Sequence, residues 1–217
     1  QGCTLDAEGN VTLPEGYKEA WEVMREGGWI APRADQELGG SGLPAAIGAM
    51  LNEVSSGACL AFVMYGGLSG AAARVIRKYV SDARAAKIAQ KLFGGEWGGT
   101  MCLTEPHAGS DVGIANTSAT KNADGTYNIR GTKIFISGGD HDLSKNILHL
   151  VLAKTEDAPA GTKGLSLFIV PRDRSDGTSN DVKVASIEHK MGIKASATAV
   201  LNFGDDDNCI GELVGTE

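Results

Sequence analysis

The sequence predicts an α+β fold: a helical segment over residues 1–97, then a small antiparallel β-barrel or sandwich over residues 98–217. Three observations carry this prediction. Up to about residue 98, apolar side chains recur at helical spacing. After Trp97 they alternate, as on half-buried strands. The strand candidates are short and separated by turn residues, with no long helical pattern between them. That spacing disfavours βαβ units and favours an antiparallel sheet.

In chain order, Tyr17, Trp21 and Met24 fall at i, i+4 and i+7, one apolar stripe of a helix that Gly27 and Gly28 stop. Leu38-Gly-Gly-Ser-Gly-Leu43 is a glycine-rich turn, and Pro44 sits where a first helical turn tolerates proline. Ile47, Met50, Leu51 and Val54 continue at helical spacing. The apolar run Ala58–Tyr65 ends at Gly66-Gly67, and Leu68–Tyr79 forms another helix with Val75, Ile76 and Tyr79 on one face. Ser81 is a candidate N-cap for the next helix, which carries Ile88 and Leu92 on its apolar face and stops at Gly94-Gly95. In the second half, Ala123-Asp-Gly125 reads as a hairpin-type turn before the alternating Tyr127–Arg130. Further strand candidates are Lys133–Ser137, Ile147–Lys154, Leu165–Val170, Val182–Ile187 and Ala199–Phe203.

Composition bounds the function. At 42% hydrophobic and 22% charged residues the chain is an ordinary globular sequence. A net charge of −7 gives no basic footprint for nucleic acid and no polybasic patch for a membrane surface. The longest continuous apolar run falls well short of the ~20 residues of a membrane span. No basic start followed by an apolar stretch marks a signal peptide. The expectation is a cytoplasmic protein without membrane insertion. Cys3, Cys59, Cys102 and Cys209 are widely spaced with no CxxC pair, which predicts free and mostly buried thiols. The 30 glycines are about twice the typical ~7% share and follow no period, so they read as turn and close-packing positions.

Several candidate motifs fail on chemistry. Gly39-Gly40-Ser41-Gly42 lacks the Gly-Lys-Ser/Thr ending of a phosphate loop, has no strand before it and does not match GxGxxG. Asp140, His141, Asp142 and His149 hold no convincing metal-ligand spacing, so no metal is expected. No GxSxG elbow occurs, and no cysteine has an obvious histidine partner.

Met101-Cys-Leu-Thr-Glu-Pro-His-Ala-Gly-Ser-Asp111 differs from these. It sits at the seam between the two halves, where ligand clefts tend to form. It resembles the signature of the acyl-CoA dehydrogenase family at nearly every fixed position. The segments downstream follow in family order: Gly131-Thr-Lys133, Phe135-Ile-Ser-Gly-Gly139, Leu150–Thr155, Gly164–Pro171, His189-Lys-Met-Gly192, then Ser196, Thr198, Asn202-Phe203 and Ile210-Gly211. Upstream, Gly28-Trp29 and Glu37–Leu43 resemble the family's N-terminal helical domain. Lys133–Asp142, Asp157–Gly161 and Ser196–Thr198 resemble one branch, the larger bacterial enzymes described as 3-methylmercaptopropionyl-CoA dehydrogenases.

The resemblance implies an FAD-dependent oxidation of an acyl-CoA thioester to a 2-enoyl-CoA, as in fatty acid β-oxidation. Electrons would pass to an electron-transferring flavoprotein, in a homodimer or homotetramer. It implies cofactor contacts from Met101, Leu103, Thr104, Gly109, Ser110, Phe135, Ile136 and Ser137, and substrate contacts from Ser110 and Lys194. A flavin ring needs donors aimed at its nitrogens and oxygens, and the implied donors are the N–H groups of Leu103 and Thr104 with the hydroxyls of Thr104 and Ser137. Pro106 and Gly109 would shape the bend, and Glu105 is a structural acceptor or an acid–base group. Ser137 stands where threonine is common and Phe135 where tryptophan is common. The catalytic glutamate would come from a C-terminal helical domain expected beyond Glu217, so the chain itself is expected to bind FAD weakly and not to turn over. The same fold also serves acyl-CoA oxidases, flavin monooxygenases and non-catalytic scaffolds.

Overall fold

A computed structural model describes residues 2–81 and 83–215; Glu217, which marks the expected domain junction, lies outside the described residues. A short hairpin, β1 (Thr4–Leu5) and β2 (Val11–Thr12), precedes three helices: α1 (Tyr17–Glu26), α2 (Ala45–Tyr79) and α3 (Arg84–Phe93). Eight strands follow: β3 (Trp97–Cys102), β4 (Ser118–Lys121), β5 (Tyr127–Ser137), β6 (Asn146–Thr155), β7 (Leu165–Pro171), β8 (Val182–Ile187), β9 (Thr198–Phe203) and β10 (Ile210–Leu213).

The sheet runs β10-β7-β6-β4-β5-β9-β8, and a further β10–β5 pairing closes it into a barrel. Most pairings are antiparallel, as the short strands predict, but β3 and β4 both run parallel to β6 along one of its edges. β6 reads as a nearly continuous apolar run because both of its faces are covered. Val151 and Ala153 enter the barrel core with Tyr127, Phe168, Leu201 and Phe203, while Leu148 and Leu150 pack under the helices with Ile76 and Leu92.

The helical half departs from the predicted segmentation. The pieces 47–54, 58–65 and 68–79 form one helix, α2, interrupted only by non-helical backbone at Cys59 (φ −159°, ψ 91°). Gly66 does not stop it; it is buried inside the helix, and a Cβ there would make only ordinary contacts with Ile30 and Trp21. Joined in this way, α2 is long and apolar enough to cross a membrane by length and composition, although no single apolar run in it is. Half of that apolar window is buried within the protein. Ser81 is not the cap of α3; the helix starts at Arg84 with Ala83 at its N-cap. The four thiols are free, with Cys102 and Cys209 buried, Cys3 half-buried and Cys59 exposed.

Two devices fix the helices on the barrel. Gly99 of β3 lies against α2, and a Cβ there would stand 2.7 Å from Ala72 Cβ. Its N–H donates to Ser69 Oγ at 3.2 Å. Tyr65 of α2 reaches the 193–197 loop, donating to the Ala195 carbonyl at 3.2 Å and accepting from the Ala197 N–H at 2.8 Å.

Candidate functional site

β3 ends at Cys102, whose side chain enters the barrel core while Met101 faces outward. The chain leaves the sheet there and turns back at residues 105–108. Glu105 N–H donates to the Ala108 carbonyl at 2.9 Å, and Ala108 N–H donates to the Glu105 carbonyl at 3.1 Å, with Pro106 inside this turn. Gly109 falls outside it. A Cβ on Gly109 would meet nothing within 4 Å, so neither the bend nor close packing requires glycine there. Ser110 is exposed, and Asp111 caps the next short turn by accepting from the Gly113 N–H at 3.1 Å.

The two sequence-predicted segments meet. Ile134 N–H donates to the Thr104 carbonyl at 2.8 Å, which sets Phe135 beside the end of β3. The register of β5 against β9 slips between Lys133 and Ile136, and Phe135 takes a left-handed φ of 59°. The slip reverses side-chain parity. Tyr127, Ile129 and Lys133 face inward, and strict alternation would carry Phe135 in after them. Instead Phe135 turns out, with 58% of its surface exposed, and Ile136 turns into the core. The Ile136 side chain is buried in the barrel core with Val151, Leu201 and Phe203, which leaves only its backbone for the expected contact with a ring. A non-glycine residue in left-handed backbone costs about 1 kcal/mol and marks a place where something other than local preference sets the chain.

Beneath these segments lies an ion pair that neither periodicity nor the family motif brought out. Lys133 is fully buried; its Nζ donates to the Leu103 carbonyl at 3.0 Å and to Glu105 Oε1 at 2.9 Å. Glu105 also accepts from the N–H groups of Asn116 (2.7 Å) and Thr117 (3.0 Å) and from the Thr117 hydroxyl (2.5 Å). Burial pushes the Glu105 carboxyl up, but the hydrogen bonds from Asn116, Thr117 and Lys133 outweigh it and bring it down to about 2. Glu105 is therefore a structural acceptor and not an acid–base group at neutral pH. Burial holds the Lys133 ammonium below its ordinary value, opposed by Glu105. The signal in the sequence was parity: a lysine on the inward face of a strand needs a buried carboxylate.

The outward face carries unused donors. Among the described residues, the N–H groups of Leu103 and Thr104 and the Thr104 and Ser137 hydroxyls make no hydrogen bond, and all three residues are half-buried. Phe135 is exposed next to Ser137 in sequence, on the segment that the Ile134–Thr104 bond joins to the end of β3, and these donors with this ring make up the candidate shelf. Such a surface suits a flat ring rich in acceptors.

The 188–198 loop borders the shelf, because Ser137 pairs with Thr198. Lys190 is not simply solvated. It donates to the Ser196 carbonyl at 2.6 Å and to Thr198 Oγ1 at 2.8 Å, and burial lowers its pKa. The Lys194 side chain is exposed, and its carbonyl accepts from Cys3 N–H at 3.3 Å. Among the described residues, no hydrogen bond joins Ser110 and Lys194.

The Asp140–Asp142 run serves the fold. Asp140 accepts from Val11 N–H and from Arg172, and Asp142 accepts from Leu13 N–H and pairs with Lys18, so the run ties the β1–β2 hairpin to the barrel. His141 stacks edge-on against Tyr65, and His149 Nδ1 lies 2.8 Å from Thr100 Oγ1. Burial, then Arg172, lowers both histidines to about 3, so both are neutral at pH 7.

Known proteins share the sequence pattern and the fold. The family model for the acyl-CoA dehydrogenase middle domain matches residues 100–205, and that for the acyl-CoA dehydrogenase N-terminal domain matches residues 5–96. The chain is 46% identical to a 3-methylmercaptopropionyl-CoA dehydrogenase of Ruegeria pomeroyi, over all of this chain and 37% of that protein. It spans about a third of the length of this and two other curated relatives that it matches. Among solved structures it resembles an acyl-CoA dehydrogenase complexed with FAD from Bacillus anthracis (28% identity, 92% of this chain, 32% of that chain, TM-score 0.73). It also resembles a chain described with the electron transferring flavoprotein of Acidaminococcus fermentans (27% identity, 92% of this chain, 50% of that chain, TM-score 0.77).

Proposed function

The chain belongs to the acyl-CoA dehydrogenase family, and on that premise we propose that it forms the FAD and acyl-CoA cradle of a cytoplasmic bacterial enzyme that converts an acyl-CoA to its 2-enoyl-CoA. The observation that carries this reading is the unpartnered donor set of Leu103, Thr104 and Ser137 beside the outward Phe135 ring. These residues fit a flavin ring: backbone N–H groups and hydroxyls for its acceptors, and an aromatic side chain for its face. When bound, FAD would supply the hydride acceptor for the β-hydrogen of the substrate.

The chain's own residues would do the rest. Leu103 and Thr104 would hold the ring by backbone N–H groups that need no reorganisation, since β3 and the 105–108 turn fix them. The Ser137 hydroxyl would donate from the second segment. Phe135 would exclude water from one side of the ring. Met101 would line the rim, and Ser110 and Lys194, both exposed, are proposed as polar contacts for the substrate's acyl-CoA chain. Glu105, held near 2 and engaged in four hydrogen bonds, takes up no proton from substrate. The family resemblance implies a general-base glutamate from the family's C-terminal helical domain, and we propose an enzyme that passes its electrons to an electron-transferring flavoprotein and assembles as a dimer or tetramer.

The test is anaerobic addition of acyl-CoA thioesters to the FAD-loaded full-length enzyme, followed by flavin absorbance. Bleaching that is reoxidised by an electron-transferring flavoprotein supports the reading. Peroxide formation in air favours an oxidase, and no bleaching with any acyl-CoA overturns the substrate assignment.

A further inference from the structure

We propose that Lys133 is a positioning residue for the flavin cradle, one that aims and polarises the Thr104 N–H donor from inside the barrel. This rests on the FAD reading above. The connection is covalent. The Leu103 carbonyl and the Thr104 N–H belong to one planar trans peptide unit and point in opposite directions. Lys133 Nζ grips that carbonyl at 3.0 Å from the core side, so the N–H on the far side is turned toward the shelf. A cation on the carbonyl also draws charge across the peptide, which strengthens the N–H as a donor.

The surroundings keep the ammonium in place. Glu105 Oε1 lies 2.9 Å from Nζ, and Glu105 is itself fixed by Asn116 and Thr117. The adjacent peptide is fixed too, since the Thr104 carbonyl accepts from Ile134 N–H, one residue beyond Lys133 in β5. One side chain thus links the end of β3 to the bulge that turns Phe135 outward. A buried ion pair is weak as a source of stability, and an apolar pair of similar size packs a core at least as well. Its placement directly behind an unpartnered donor is what a positioning role requires.

The experiment compares the full-length parent enzyme with Glu105→Gln and with the double variant Lys133→Met/Glu105→Gln, using FAD as the probe. Each is checked for fold by circular dichroism and thermal midpoint. The readouts are the FAD dissociation constant, the flavin's visible spectrum and its reduction potential. Glu105→Gln keeps the lysine but removes the carboxylate that holds its ammonium in place, so it is expected to fall between the parent and the double variant in all three. The double variant removes both charges together, the change least harmful to the fold, and is expected to bind FAD about tenfold more weakly or worse, with a shifted spectrum and a lower potential. A folded double variant with the parent's affinity, spectrum and potential would overturn the proposal while leaving the FAD reading intact. A parent that binds no FAD would overturn both. Should the double variant not fold, Lys133→Arg, which keeps the charge but moves the donor, carries the test. A shifted potential supports the proposal and an unchanged one overturns it.

Discussion

Replacing Lys133 with methionine should be among the most destabilising single changes in the β-domain. The substitution removes the bonds to the Leu103 carbonyl and Glu105 Oε1 and leaves a carboxylate in the core with only Asn116 and Thr117 as donors. Breaking one side of a buried ion pair costs about 3–5 kcal/mol, a large share of the roughly 5–15 kcal/mol that holds a domain folded. The pH dependence identifies the cause. Glu105 titrates near 2 in the folded protein against an ordinary 4.5. At about 1.4 kcal/mol per pH unit, that contributes on the order of 3 kcal/mol, present above pH 4.5 and lost as pH falls toward 2. Removing Lys133 takes away one of the groups holding the carboxyl down, so the cost of the mutation is full at neutral pH and shrinks in acid as the variant's Glu105, no longer held so low, protonates before the parent's does. Urea unfolding followed by tryptophan fluorescence, run at about pH 7 and about pH 3.5, measures both quantities. A loss below about 1 kcal/mol, or the same loss at both pH values, would refute the account of Lys133 as the buried partner of Glu105.

Other outcomes follow from the same geometry. Gly99→Ala should cost about 1–3 kcal/mol by overpacking the seam against Ala72, and Ala72→Gly in the same chain should recover part of it; denaturant midpoints of the two variants check this. His141 and His149 have folded pKa values below their unfolded ones, so the unfolded chain binds more protons and stability should fall as pH drops from about 6.5 toward 3, by up to about 1.4 kcal/mol per pH unit for each histidine. His149→Gln should flatten that slope in a pH series of thermal midpoints. Phe135→Gly should leave stability unchanged or raise it by about 1 kcal/mol, because it relieves the left-handed backbone, while weakening FAD binding in a fluorescence titration. A stability loss with unchanged binding would contradict the assignment of that ring to the cradle.

The sequence carries the fold class plainly wherever one period dominates. Trp21 and Tyr17 mark α1, and Tyr127 and Ile129 mark the start of β5. It fails where tertiary contacts override local signals. Gly66 reads as a stop, yet it is a buried position inside a long helix. β3 is two glycines, a threonine and a methionine between a tryptophan and a cysteine, and its strand pairing comes from β6 rather than from its own pattern. β4 and β10 are four residues each, too short to show alternation. The candidate site was legible as an ordered string of motifs, but not as an arrangement. Nothing local to Phe135 announces a register slip, because the slip is forced by the bonds from Lys133 and Ile134 to a loop some thirty residues upstream. Gly109, prominent in the motif, does no steric work, whereas Lys133, easily taken for a strand-surface lysine, organises the interior.

The central claim is tested most directly by a crystal structure of the protein with FAD bound. The account predicts the flavin ring on the shelf formed by Leu103, Thr104, Phe135 and Ser137, with the Leu103 and Thr104 N–H groups and the Ser137 hydroxyl as its donors. A ring bound elsewhere on the barrel, with those donors still facing water, would contradict it.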